Sequence, residues 1–142
     1  MMQHPRTANG FTLIELIVVI VILGVLSTIV IQAVGDRPDQ ARLVKVRNDL
    51  MALEGALGLY RLDNLALPSQ SQSLMALVER PDGLDTWRGP YVDRLPNDPW
   101  GNAYLYRTPG RDGRPYDLIS LGQDGVAGGT DLNADIRNWD LE

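Results

Sequence analysis

The sequence contains no cysteine and a single histidine. Without cysteine no disulfide can form, so a small domain outside the cytoplasm would have to be stabilised by a metal or by assembly with other chains. The one histidine, His4, lies within the first ten residues, and no glycine-rich phosphate loop precedes a helix. Histidine and cysteine, two common catalytic side chains, are therefore almost absent, and we predict that the chain is not an enzyme.

Basic residues are also in the minority. The chain has 13 lysines and arginines against 18 aspartates and glutamates, giving a net charge of -5. Nucleic-acid binding usually requires a basic face, so we predict no nucleic-acid partner. The length of 142 residues allows one domain beyond a long terminal helix.

The prominent feature is a long apolar run over residues 16–34, interrupted only by Ser27, Thr28 and Gln32. About 20 apolar residues span the hydrocarbon layer as a helix, so the run predicts a membrane segment. Glu15 lies at its start. An unpaired charge at bilayer depth costs at least about 2.5 to 3.5 kcal/mol, so this carboxylate needs a partner or a polar edge.

Two interpretations of Glu15 remain open. It closes a possible capping box with Thr12, in which hydroxyl and carboxylate bind free backbone donors at the helix start. Alternatively, cleavage between Gly10 and Phe11 would create an amino terminus four residues before Glu15, and this cation would pair with the carboxylate. A conventional secretory signal cut after Gly35 is a further alternative, although its apolar region would be unusually long.

Residues 35–38 contain glycine and proline and predict a break or kink. A helical pattern then continues to about Leu62, with the stop expected at Asp63 and Asn64. If one helix ran from Phe11 to Leu62, it would be about 78 Å long and would project from any small domain. Its second half carries an apolar stripe at three-four spacing, which predicts a core-facing side. The stripe comprises Leu43, Val46, Leu50, Leu53, Leu57 and Tyr60.

The remainder predicts a short helix over residues 73–79 and an ordered loop reaching to Gly101. We expect the aromatic side chains of this loop, Trp87, Tyr91 and Trp100, to anchor it rather than to bind a ligand. Residues 103–108 and 116–121 alternate as strands and flank a turn rich in proline and glycine, which predicts a hairpin. The fold class is therefore α+β, with two or three antiparallel strands covering the helical stripe.

The loop over residues 121–136 combines acidic side chains with four glycines. Oxygen donors without histidine or cysteine suit a hard cation, and calcium is the natural candidate. A true EF-hand is not expected, because Ile136 occupies the position of its glycine. An acidic solvated loop without metal is the alternative. The oxygen-bearing side chains concerned are Asp124, Asp131, Asn133 and Asp135.

Several of these segments resemble one family. The hexapeptide GFTLIE at residues 10–15, with the apolar run behind it, resembles the class III signal of type IV pilins and pseudopilins. Further resemblance to the major pseudopilins of type II secretion systems lies in three downstream motifs, at residues 60–64, 95–102 and 120–125. Together these segments cover most of the chain.

The resemblance implies a type IV pilin-like fold: a long amino-terminal helix on a small antiparallel sheet, with a carboxyl-terminal metal-binding loop. It divides the chain into a leader (1–10), a transmembrane and filament-core helix (11–35) and a periplasmic globular domain (36–142). Prepilin peptidase would cut after Gly10, Phe11 would be methylated, and Glu15 would serve assembly. The implied protein is a single-pass inner-membrane protein that forms a helical homo-oligomeric filament.

The resemblance also implies partners and a calcium site. The partners are minor pseudopilins and the inner-membrane assembly platform of a secretion system that exports folded proteins across the outer membrane. The calcium ligands would be the side chains of Asp124, Asp131 and Asp135, less certainly that of Asn133, and the backbone oxygens of Leu121 and Ile136.

The sequence departs from relatives of this type at two points. Gln32 stands where the family commonly has a proline, and the carboxyl-terminal disulfide expected of many type IV pilins cannot form. A type IV pilin or a minor pseudopilin remains an alternative. A secreted calcium-binding enzyme or adhesin is an alternative of another class, and it predicts a mature chain that begins at Asp36 rather than at a methylated Phe11.

Overall fold

A computed structural model describes residues 10–34 and 37–141, and side chains are described outside residues 27–37. The chain divides into two compact units, with the boundary between Pro38 and Asp39. The first unit contains helix α1, Leu13–Val34, and the second contains nearly all of helix α2, Arg37–Asn64, and the whole sheet.

Helix α1 has 22 residues, and Glu15 is the only acidic residue in its first turn, with no basic residue in its last. Every large apolar side chain described between Phe11 and Leu26 is exposed, from 43% at Ile17 to 86% at Phe11. Within the described part of the chain, no helix has both the length and the apolarity needed to cross a membrane. The span predicted for residues 11–35 includes side chains outside that part and stays a prediction.

Helix α2 begins at Arg37, so Pro38 lies in its first turn. Proline is tolerated there because the first turn has no intrahelical acceptor for its missing N–H. Arg37 and Pro38 thus belong to α2, and the break predicted over residues 35–38 stays a prediction, because Gly35 and Asp36 lie outside the described residues. The predicted stop is confirmed, since α2 ends at Asn64, whose Nδ2 donates to the Tyr60 carbonyl oxygen at 2.9 Å.

The apolar stripe of α2 forms the centre of the core, as predicted. Leu43 is half-buried, and the other five members are at most 2% exposed. Burying each such side chain contributes about 1.5 to 3 kcal/mol relative to leaving it in water. The three-residue and four-residue spacing thus fixes which side of α2 faces the sheet. The fully buried members are Val46, Leu50, Leu53, Leu57 and Tyr60.

The segment between α2 and the sheet is mostly loop, anchored by aromatic side chains as predicted. The short helix expected at residues 73–79 is a 3-10 helix, Leu74–Leu77, capped by the Ser73 side chain. Trp87 Nε1 donates to the Ala76 carbonyl oxygen at 2.8 Å, and the Tyr91 hydroxyl donates to Asp63 at 3.0 Å. The first bond holds the loop against the 3-10 helix, and the second holds it against the end of α2.

Three antiparallel strands form the sheet in the order β1-β2-β3: β1 is Leu105–Arg107, β2 is Asp117–Ser120 and β3 is Ile136–Arg137. The predicted hairpin is confirmed, with Leu105 opposite Ile119 and Arg107 opposite Asp117. Tyr104, Tyr106 and Leu118 contribute to the same buried cluster as the α2 stripe. The class is therefore α+β, as predicted.

Candidate functional site

The start of α1 carries the first predicted site. The Glu15 backbone N–H donates to the Thr12 hydroxyl at 3.4 Å, so the hydroxyl half of the predicted cap is formed. Among the described residues no hydrogen-bond partner or ion pair is found for the Glu15 carboxylate, and its side chain is exposed. The cap thus uses the backbone of Glu15 and leaves its carboxylate available to another group.

The second predicted site is the loop between β2 and β3. Its two ends meet, because Ser120 pairs with Ile136 and the Gln123 N–H donates to the Leu132 carbonyl oxygen at 2.8 Å. Gly122 has φ +69°, and a Cβ there would lie 2.8 Å from the Leu132 oxygen. Only glycine permits this close approach, so the glycines fold the loop back upon itself.

The structure places the predicted aspartates around this loop without bringing all three together. Asp124 is exposed and accepts from the Val126 N–H at 3.1 Å. Asp135 accepts from the Gly128 N–H at 3.0 Å and pairs with Arg137 at 3.3 Å. Within residues 10–34 and 37–141, no three acidic or histidine side chains lie close enough to hold a metal.

The backbone positions predicted as ligands lie at the mouth of the loop. Leu121 directly follows β2, and Ile136 begins β3. Asn133 donates its N–H to the Thr130 carbonyl oxygen at 3.0 Å, and its own carbonyl oxygen would lie 2.5 Å from a Cβ at Gly129. The donor types fit a hard cation such as calcium. The carboxylates are not gathered as a complete ligand set.

A buried carboxylate that sequence reasoning missed connects this loop to the core. Asp98 is 4% exposed, and its Oδ1 accepts from the N–H groups of Trp100 at 3.1 Å and Asn102 at 2.8 Å. Its Oδ2 accepts from the Ser120 hydroxyl at 2.9 Å. Asn102 donates in turn to the Gly122 carbonyl oxygen at 3.0 Å. The local sequence signal for this buried role of Asp98 is its position in a turn motif, two residues before Trp100.

A second network joins α2 to the sheet. The Tyr104 hydroxyl donates to Asp49 at 2.7 Å, and Lys45 pairs with the same carboxylate. Lys45 also donates to the Asn97 carbonyl oxygen at 3.0 Å. Burial, followed by the hydrogen bond to Asp49, raises the pKa of Tyr104 above its usual value. These contacts fix the segment that carries Asp98 against the helix.

Two family descriptions match this chain. Residues 33–139 match "Type II secretion system (T2SS), protein G". This match spans more than half of the chain and includes α2 and the sheet. The chain belongs to the protein G family of the type II secretion system. Residues 5–31 match "Prokaryotic N-terminal methylation motif", which includes the junction of Gly10 and Phe11.

Two individual relatives are similar to this chain over nearly its full length. The chain is 50% identical over 142 residues to the type II secretion system core protein G of Pseudomonas aeruginosa, covering 97% of this chain and 99% of that protein. It is 43% identical over 144 residues to the core protein G of Vibrio cholerae, covering 99% and 98%. The resemblance to the pseudopilin family inferred from the motifs is confirmed.

A solved structure gives the same result for the fold. The chain is 40% identical to the major pseudopilin from the type 2 secretion system of enterohaemorrhagic Escherichia coli, with a TM-score of 0.63. The match covers 75% of this chain and 94% of that chain. The predicted pilin-like fold is therefore confirmed, whereas the metal-binding loop predicted with it stays a prediction. The family is one of structural subunits rather than of enzymes.

Proposed function

We propose that the chain is the major filament subunit of a type II secretion system. It is held as a single-pass precursor in the bacterial inner membrane, with residues 36–142 in the periplasm. Prepilin peptidase cuts after Gly10, and the new terminus at Phe11 is methylated. Copies then polymerise, together with minor pseudopilins and the inner-membrane assembly platform, into a filament that drives folded proteins across the outer membrane. Family membership and the methylation motif support this sequence of events.

The observation that carries the proposal is the exposed apolar surface of α1. Large apolar side chains surround the helix from Leu13 to Leu26, and none of those described is buried. Contiguous apolar surface of this extent marks a membrane or protein interaction site. The same surface serves both proposed states, because lipid covers it in the precursor and neighbouring helices cover it in the filament.

Glu15 gives this surface its specificity. It is an acidic group in an otherwise apolar region, and the cap at Thr12 leaves its carboxylate unpaired. A carboxylate moved into an apolar assembly requires an opposite charge nearby. In the proposed filament, that charge is the methylated amino terminus of Phe11 on an adjoining copy.

The test separates this pairing from simple capping. Glu15→Val, which removes the carboxylate, should abolish filaments while cleavage after Gly10 continues. Thr12→Ala is the matched control, since it removes only the cap hydrogen bond and should cost about 0.5 to 2 kcal/mol of helix stability. Filaments would be counted by electron microscopy of cells expressing each variant, and mature chains would be identified by mass.

A second variant tests the cleavage site. A Cβ at Gly10 would meet no atom within 4 Å. Gly10→Val should therefore leave the chain folded but uncut, and precursor should accumulate in the membrane. Normal filament numbers with Glu15→Val would contradict the pairing, and mature chains from Gly10→Val would contradict the cleavage site.

We further propose that the loop over residues 121–136 binds calcium. The side chains of Asp124, Asp131 and Asp135 would hold the ion, with backbone oxygens of Leu121 and Ile136 and the side chain of Asn133 as further donors. Support comes from the oxygen-only donor set and from the glycine-dependent folding that joins the loop ends. Bound calcium would neutralise charges that otherwise repel one another within the loop.

A further inference from the structure

Strand β1 lies at one edge of the sheet. The strand order is β1-β2-β3, and among the described residues no strand pairs with the far side of β1. An exposed strand edge presents unpaired N–H and C=O groups, and it is a template for pairing with another chain. The structure shows which groups of β1 face this edge and what covers them.

The outward-facing groups follow from the alternation of an antiparallel ladder. Tyr106 lies opposite Leu118. The Leu118 N–H donates away from β1, to Asn138 Oδ1 at 3.0 Å, and the Tyr106 carbonyl oxygen accepts from the Gln70 side chain. This pair is therefore not hydrogen-bonded across the two strands. Consequently, the peptide groups of Tyr106 and of Thr108, two residues later, face the free edge.

The side-chain amide of Gln70 occupies these groups. Its Nε2 donates to the Tyr106 carbonyl oxygen at 3.0 Å, and its Oε1 accepts from the Thr108 N–H at 3.0 Å. In a parallel sheet, a residue opposite Arg107 on an added strand would make the same two bonds. Its N–H would donate to the Tyr106 carbonyl oxygen, and its carbonyl oxygen would accept from the Thr108 N–H. An added antiparallel strand would need the same oxygen and the same N–H. One amide thus blocks both orientations.

The position of Gln70 is itself fixed. The Tyr106 hydroxyl donates to the Pro68 carbonyl oxygen at 2.8 Å, and the Ser69 N–H donates to Gln72 Oε1 at 2.8 Å. The backbone just before Gln70 is therefore tied to the strand that Gln70 covers. A side-chain amide also replaces a strand partner beside β3. This strand ends at Arg137, and the next residue, Asn138, accepts from the Leu118 N–H of β2 through its side-chain oxygen.

We infer that Gln70 closes the edge of β1 against strand addition, and that without it this edge pairs with β1 of a second copy. Leu105 and Arg107 are exposed, so the face of β1 that carries them is open to a second copy. Antiparallel pairing centred on Tyr106 sets Leu105 of one copy beside Arg107 of the other, and it therefore avoids placing the two arginines opposite each other. The inference concerns the sheet edge alone and does not depend on the proposed role of α1 in filaments.

The chain allows a clean crosslinking test because it contains no cysteine. Full-length chains carrying Leu105→Cys would be mixed in detergent with chains carrying Arg107→Cys, and disulfide dimers would be quantified after mild oxidation. With Gln70 present, we expect few dimers. Gln70→Ala should raise their yield severalfold. Gln40→Ala is the matched control, since Gln40 is exposed on α2 and its side-chain amide has no hydrogen bond among the described residues, and it should leave the yield at the parent level.

Hydrogen exchange of the backbone N–H groups provides the second measurement. Gln70→Ala should accelerate exchange at Thr108 by about fivefold, the effect of losing one hydrogen bond. Gln70→Met keeps the side-chain volume without the amide and should behave as alanine does, which covers the case in which Gln70→Ala does not fold. Unchanged exchange at Thr108, or dimer yields equal to those of the parent in a folded Gln70 variant, would overturn the inference.

Discussion

Asp98 connects three parts of the domain through one carboxylate. It binds the N–H groups of its own turn, the Ser120 hydroxyl in β2 and, through Asn102, the start of the carboxyl-terminal loop. Asp98 is only 4% exposed, so water has little access to replace a lost hydrogen-bond partner. Hydrogen bonds to charged groups contribute about 1.5 to 3 kcal/mol, and buried donors left without an acceptor are costly.

Asp98→Ala should therefore destabilise the domain by about 3 kcal/mol, measured as a shift of the urea unfolding midpoint. Asp98→Asn keeps an acceptor oxygen and should cost less. Asp93→Ala is the control, because Asp93 is exposed and has no hydrogen bond or ion pair among the described residues. An effect of Asp98→Ala no larger than that of Asp93→Ala would show that the network contributes little.

Residue patterns in the sequence predicted some of these contacts and not others. The buried face of α2 was predictable, since Leu50, Leu53 and Leu57 recur with the period of a helix. The bond from Asp98 to Ser120 joins residues 22 positions apart, and that from Gln70 to Tyr106 joins residues 36 apart. Such contacts leave no local periodicity, because they depend on how distant turns pack together.

At the scale of elements, regular patterns predicted more than short ones. The hairpin of β1 and β2 was predictable from alternation and its turn, and the end of α2 from Asn64. Strand β3 has two residues, too few to show alternation. In the loop over residues 121–136, the sequence predicts the types of oxygen donor but not the distances between them, because those distances follow from the fold of a glycine-rich backbone.

If the loop over residues 121–136 binds calcium as proposed, the ion should change the stability of the chain. A ligand that binds only the folded chain stabilises it by about 2.7 kcal/mol at a hundredfold excess over its Kd. Calcium should therefore raise the melting temperature of the full-length chain in detergent, relative to chelator. Asp124→Ala and Asp131→Ala should each reduce this shift.

Asp82→Ala provides the matched control for these two variants, since Asp82 is exposed and lies outside the loop. It should retain the full calcium response. A melting temperature of the parent that is indifferent to calcium would contradict the proposed site. A shift retained in both loop variants would show that the ion uses other ligands.

At the scale of the whole molecule, the buried tyrosines should lower the free energy of unfolding at alkaline pH. Burial, followed by the charge of Glu54, raises the pKa of Tyr116 to about 12. Burial raises the pKa of Tyr104 further, with its hydrogen bond to Asp49 as the next cause. The pKa values of Tyr60 and Tyr106 are also raised, mainly by burial. These residues lie in α2, at β1 and near β2, so the effect belongs to the domain as a unit.

The sign follows from proton binding. Below pH 10, the ordinary pKa of tyrosine, these hydroxyls are protonated in both folded and unfolded chains, so they add no pH dependence. Between pH 10 and about 12, the unfolded chain loses protons that the folded chain retains. The free energy of unfolding should therefore fall with rising pH, by at most about 1.4 kcal/mol per pH unit for each tyrosine.

Urea unfolding of the full-length chain between pH 8 and about 11.5 would measure this decline. Tyr104→Phe removes one titrating hydroxyl and should make the decline less steep. Because the variant also loses the bond to Asp49, it should be less stable near neutral pH, so the slopes rather than the absolute free energies are compared. Equal slopes for the parent and Tyr104→Phe would contradict the assignment of the alkaline transition to buried tyrosines.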